Sequence, residues 1–240
     1  MSVARQFGHS NLSAKSFAAR AYRALEELSI QDLRLPKNDA KALIEEVWPL
    51  TVLLSHLDVP RRQVRCRYVG DTEGYDARIT LRGHEVDREL LKPKYFVEVT
   101  TAASPVDYLR REALERNGGS FGGDDIRRVG SRRKGNDRIV SMPVVDHPSD
   151  VVRKTEGWVR TAIAKKGAKQ YPSPCILLIN ARPGRSLALS QWVEIAENTR
   201  TDAEHTSFCS VFAVDVGRNL LLPISISDSM AAVVTATHAW

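Results

Sequence analysis

The chain has 240 residues, enough to bury a full core as one large domain. Its 27% charged and 42% hydrophobic residues are the balance of a globular protein and exclude disorder as the default. The 35 basic and 29 acidic residues leave a net charge of +6, and the excess is concentrated in one stretch near the middle.

The first nine residues hold no apolar run of signal-peptide type, and no stretch reaches membrane-spanning length. A cytoplasmic protein with no membrane partner is expected. Residues 13–28 read as a helix, because Ala14, Phe17, Ala18, Ala21, Leu25 and Leu28 recur at three- and four-residue spacings. With its linker, over residues 1–38, this helix is expected to be an accessory to a domain covering 39–223. Pro36 breaks the chain, and Asn38 or Asp39 can cap a second helix that runs to about Leu57. Leu43, Val47, Leu50, Leu54 and Leu57 form its stripe, and Pro49 should kink it. Glu46 borders the stripe and looks toward a sheet, whereas Glu45 points away. A surface glutamate favouring the helix dipole is the plainer reading of either.

Two strands follow, residues 64–69 and 75–81, joined by Gly70-Asp71-Thr72-Glu73-Gly74 as an antiparallel hairpin, with Asp76 near the opening of the second. Cys66 lies on the first. With Cys175 and Cys209 it makes an odd, widely spaced set that suggests neither a disulfide framework nor a zinc site and fits a reducing compartment. Pro93 precedes the strand 95–100. Alternation puts Tyr95, Val97 and Val99 on one face and Phe96, Glu98 and Thr100 on the other. Glu98 thus sits on a largely buried element, where a carboxylate costs free energy unless a cation, a proton or hydrogen bonds compensate it.

A short helix is expected over 105–116 and an irregular Gly-rich basic loop over 118–138. Loops of that length in a compact domain are usually functional or disordered. Its glycines match neither a phosphate cradle nor a nucleophile elbow. Between Arg127 and Arg138 the cations Arg127, Arg128, Arg132, Arg133, Lys134 and Arg138 meet a single acid, Asp137. Such a cluster suits phosphates, with a solvated loop as the plain alternative. A long helix over 148–170 carries Val152, Val159, Ile163 and Lys166 along one line, so the Lys166 stem can lie on the core while its ammonium reaches the rim. The unbroken apolar run 175–180 reads as a strand buried on both faces. A helix over 187–198, strands over 208–214 and 220–223, and a tail over 224–240 complete the chain.

Strand, helix, strand in this order implies an α/β fold with helices packed on the sheet. Over roughly residues 39–215, the order helix, three strands, long helix, strand resembles the PD-(D/E)xK nuclease superfamily, the restriction-endonuclease-like fold, in a divergent form. The resemblance rests on Tyr75-Asp76-Ala77-Arg78-Ile79, on Val97-Glu98-Val99-Thr100, and on Glu46, or secondarily Glu45, as the helix acid that many members carry. In that family an Asp and a Glu on neighbouring strands bind magnesium, with a lysine two residues after the Glu. Here no proline precedes Asp76, and Thr100 holds the lysine position. Some divergent members supply the lysine from the following helix, which nominates Lys166, with Lys169 in reserve.

The resemblance implies a central mixed sheet in αβββαβ order and Mg²⁺- or Mn²⁺-dependent hydrolysis of phosphodiesters, with DNA the expected substrate. Asp76, Glu98 and the Val99 carbonyl would be ligands, and Lys166 would orient water or stabilise charge. These residue types suit the chemistry, since phosphodiester hydrolysis needs an activated water and neutralised phosphoryl oxygens, and Mg²⁺ takes oxygen ligands. A homodimer is expected on the same ground. Arg127, Arg128, Arg132, Arg133 and Lys134 would contact backbone phosphates without reading sequence. Two other readings remain: a nucleic-acid-binding protein degenerate in catalysis, and an interaction or assembly module in which Asp76 and Glu98 are structural.

Overall fold

Period-two alternation in the first half of the chain and unbroken apolar runs in the second build one sheet with two unlike halves. The computed structural model describes residues 3–8, 10–117, 126–131, 133, 135–142, 146–182, 187–228 and 230. Strand β1 (Leu12–Ser13) edges the sheet, followed in space by β2 (Arg62–Tyr68), β3 (Ala77–Gly83) and β4 (Lys94–Ala103), all antiparallel, with the one-turn helix α6 (His84–Asp87) connecting β3 to β4. A small separate ladder is made by β5 (Ile126–Val129) and β6 (Arg138–Ser141). The main sheet continues through β7 (Cys175–Arg182) and β8 (Ser210–Asp215), parallel to β4, and ends with antiparallel β9 (Leu220–Ile226). The protein is therefore α/β, with a seven-stranded mixed sheet flanked by helices.

Each face has its own core. On one, helices α1 (Val3–Gly8), α2 (Ala14–Glu26), α4 (Asn38–Ala42) and α5 (Trp48–Leu57) bring Phe7, Phe17, Leu43 and Leu50–Leu54 against Val64, Ile79, Val97, Val99, Ile176 and Leu178. Residues 3–24 and the domain beyond residue 38 thus share one core, with the Phe7 and Phe17 rings 5.0 Å apart. A short helix α3 (Ile30–Arg34), closed by a Ser29/Asp32 capping box, links them and carries no buried residue. On the opposite face, α8 (Pro148–Gly167) and α9 (Leu189–Glu204) pack Val159, Ile163, Trp192 and Ile195 on Ala102, Leu177, Ile179 and Ala213. The alternation in β4 follows: Tyr95, Val97 and Val99 meet the first core, while Phe96 packs against the second.

Three sequence expectations are corrected here. The stretch 118–138 is not irregular throughout, because Ile126–Val129 pairs with Arg138–Ser141 as a hairpin joined to α7 (Asp107–Asn117). Its turn needs Gly130, at φ 91°, where an added Cβ would lie 2.4 Å from the Asn136 carbonyl oxygen. Helix α8 ends at Gly167, so Lys169 lies beyond it. Strand β9 runs past Pro223 to Ile226, with a register irregularity in its partner β8 between Val211 and Phe212.

Pro49 does more than kink. A π turn, Leu43–Val47, separates α4 from α5. Proline has no N–H to offer the carbonyl four residues back, which is Glu45, and its ring crowds that carbonyl. The carbonyls of Ile44 and Glu45 instead accept from Asn180 Nδ2 on β7, at 3.4 and 3.5 Å. The helix is thereby tied to the sheet at the level of Glu45 and Glu46.

Candidate active site

The β3–β4 ladder stops at Ala77 opposite Val97, which leaves the Val99 N–H on β4 without a strand partner. Asp76, one residue before β3, fills the notch, and its Oδ2 accepts from Val99 N at 2.7 Å. The Asp76 main chain is clamped as well. Its N–H donates to the Val97 carbonyl at 3.0 Å, and its own carbonyl accepts from Val69 and Gly70 at 2.8 and 3.2 Å. Gly70 takes φ 60° to begin the turn that returns the chain to Asp76.

Beside this notch, Glu98 projects from the face of β4 that α8 covers. Both acids are only 6% exposed. Lys166, in the last turn of α8, forms an ion pair with Glu98 Oε1. From the other core the π turn presents Glu46, whose Oε2 accepts from the Tyr68 hydroxyl at 2.5 Å. Glu45 is turned aside toward Arg182, at 3.4 Å, and Lys41, at 4.0 Å. A single cleft of about 410 Å³ gathers Glu46, Asp76, Glu98, Val99, Lys166 and Lys169, with Tyr75 and Tyr171 on its walls.

Electrostatics in the cleft favour a cation. Burial, and then the neighbouring Glu98 carboxylate, push the Asp76 pKa up to about 7, despite the opposing Val99 hydrogen bond. Burial and Glu98 also raise the Tyr171 hydroxyl above the ordinary phenol range. Three carboxyl groups thus face two lysines. Among the described residues, no group of three or more His, Cys, Asp or Glu side chains is placed to hold a metal. Two carboxylates and a lining main-chain residue nonetheless fit a hard cation such as Mg²⁺, which keeps several waters and is usually held by one or two carboxylates.

Other nominated residues lie elsewhere. Thr100 is not among the residues lining the cleft. Arg128, expected to meet phosphate, is already neutralised: it pairs with Glu112 at 2.5 Å and with Asp137, which Arg116 also approaches at 3.3 Å. Arg127 and Arg133 are exposed, while Arg132 and Lys134 lie outside the described residues. Sequence reasoning did not nominate Tyr68 or Tyr171. An aromatic at a strand or helix end reads as core, and only proximity to the Gly70 turn and to the Lys166 helix end hints at more.

Compared with known proteins, the chain matches no protein-family model, no curated protein and no solved structure.

Proposed function

We propose that the chain is a Mg²⁺-dependent nuclease with a restriction-endonuclease-like core, acting on DNA. The observation that carries this reading is the convergence of Asp76 and Glu98, from neighbouring strands, with Lys166, from a helix, in one polar cleft. Asp76 and Glu98 are the residues to hold the ion, which when bound would neutralise phosphoryl oxygens and acidify a water. The Val99 N–H fixes the Asp76 carboxylate, so one oxygen is oriented by the main chain. Lys166 holds Glu98 in place and offers its ammonium to negative charge developing on the phosphoryl group. Glu46, oriented by Tyr68, stands across the cleft, where a carboxylate can accept a proton from water. The half-protonated state of Asp76 near pH 7 is what a cation would displace.

The test is incubation of labelled DNA with Mg²⁺ or Mn²⁺. Cleavage should be lost in Asp76→Ala and in Glu98→Ala while binding persists. Intact DNA and RNA, single- and double-stranded, after incubation with wild type would refute the reading. A second reading, a nucleic-acid-binding protein without catalysis, is favoured by one observation: Thr100 occupies the position where the resembled family carries its lysine.

A further inference from the structure

Outside the cleft, the outer face of β2, β3 and the first residues of β4 carries a cationic array. Residues whose neighbours on the same strands point into the core alternate outward here: Arg65, Arg82 and Lys94 are exposed, and Arg67 and Arg78 half-buried. Register sets them in rows. Arg67 is opposite Arg78, which is opposite Phe96, and Arg65 is opposite Thr80, which is opposite Lys94. Opposite residues on such a face lie about 5 Å apart, and alternate residues along a strand about 7 Å.

Like charges facing each other across a ladder destabilise it, so an acid is expected nearby. Glu73, 3.6 Å from Arg67, is one. Arg65, Arg78, Arg82 and Lys94 have no ion-pair partner among the described residues; Arg65 reaches only the Asn11 carbonyl, and the Lys94 ammonium sits 4.5 Å from the centre of the Phe96 ring. The array is contiguous with the cleft. Phe96 precedes Glu98 by two residues on the same face, Arg78 follows Asp76 by two, and the Tyr75 ring that lines the cleft meets Phe96 edge-on at 4.7 Å.

We infer that this open sheet face docks a nucleic-acid backbone and leads it into the cleft, a role that rests on the nuclease reading for where the strand goes. Charge complementarity selects the occupant. The face presents cations in rows with the acid Glu73 only at its margin, and none of the exposed large hydrophobic residues lies on it, so it lacks the apolar anchors of a membrane-binding surface. Arg128, by contrast, has its counter-charges built in.

The experiment is fluorescence anisotropy of labelled single- and double-stranded DNA in EDTA, across a salt series, so that binding is read without cleavage. Arg65→Gln/Arg78→Gln/Arg82→Gln/Lys94→Gln should bind at least about tenfold more weakly, with a log–log salt slope shallower by about three. Gln63→Lys, adding a cation opposite Arg82, should steepen the slope by about one, a gain that misfolding cannot imitate. Wild-type affinity and slope in a folded quadruple variant overturn the inference, as does an unchanged slope in Gln63→Lys. Sheet-dependent binding to phosphatidylserine vesicles without DNA binding also overturns it. Sheet-dependent DNA binding by a wild type that never cleaves removes the nuclease reading and leaves the docking face. Cleavage with normal binding in the quadruple variant removes the docking face alone.

Discussion

Asp76 is where the fold works against its own charge. Its main chain is fixed at both ends, its carboxylate is buried, and Glu98 is its neighbour. Because its folded pKa of about 7 lies above the ordinary unfolded value of about 4, the native state keeps a proton that the unfolded chain releases across that window. The corresponding stability is complete below about pH 4 and lost as pH rises through about 7. In metal-free buffer, Asp76→Asn should therefore raise Tm at pH 8 and have little effect below about pH 4. Calorimetry reads the difference, with about 2–4 °C expected per kcal/mol in a chain of this size. Mg²⁺ should raise the wild-type Tm at pH 8 and leave Asp76→Asn nearly unmoved, by mass action on the folded state. Lys166→Met removes the cation paired with Glu98, and cleavage should drop at least about a hundredfold with DNA affinity within a few-fold of wild type. Single-turnover kinetics beside anisotropy separates the two effects.

At the scale of elements, the π turn Leu43–Val47 aims Glu46 at the cleft and Glu45 at Arg182. Asn180, fully buried, is the side chain that receives the turn's spare carbonyls. Asn180→Ala should cost about 1–3 kcal/mol, the penalty for buried polar groups left without partners, and urea unfolding measures it. Breaking the Glu112–Arg128 contact should loosen a different element. Glu112→Ala is expected to speed amide exchange across Ile126–Val129 and Arg138–Ser141 while leaving β7 unchanged. The long elements were legible in the sequence because their apolar spacing was uninterrupted, as in Phe17 and Ala21 of α2, Val159 and Ile163 of α8, and Ile176–Ile179 of β7. The hairpin was not, since Ile126-Arg127-Arg128-Val129 has no period-two signal and is held by ion pairs that sequence does not display. Glu46 was readable from its edge position on a wheel. The π turn that aims it depends on contacts of the Ile44 and Glu45 carbonyls with Asn180, 136 and 135 residues away. Tertiary folding alone brings Tyr68 to Glu46 and Tyr171 to the cleft wall.

For the molecule as a whole, the net charge of +6 conceals an uneven layout. In the hairpin Arg128 has its counter-charges in Glu112 and Asp137, whereas four cations on the open sheet face have no ion-pair partner among the described residues. The sequence drew attention to the hairpin cluster alone, because density along the chain is visible there and the row of cations that register assembles across strands is not. The layering is uneven too. Strands β7 and β8 are buried on both sides, with Ile176, Leu177, Leu178, Ile179, Val211 and Phe212 fully enclosed, but β2 and β3 rest on one core only. The protein accordingly has a thick end and a thin end. Opening free energies should grade along the sheet, with backbone deuterium entering the thin end first. A polymer laid across that end would slow the exchange of strands it touches only through side chains, so the softest part of the sheet is also its built-in reporter of occupancy.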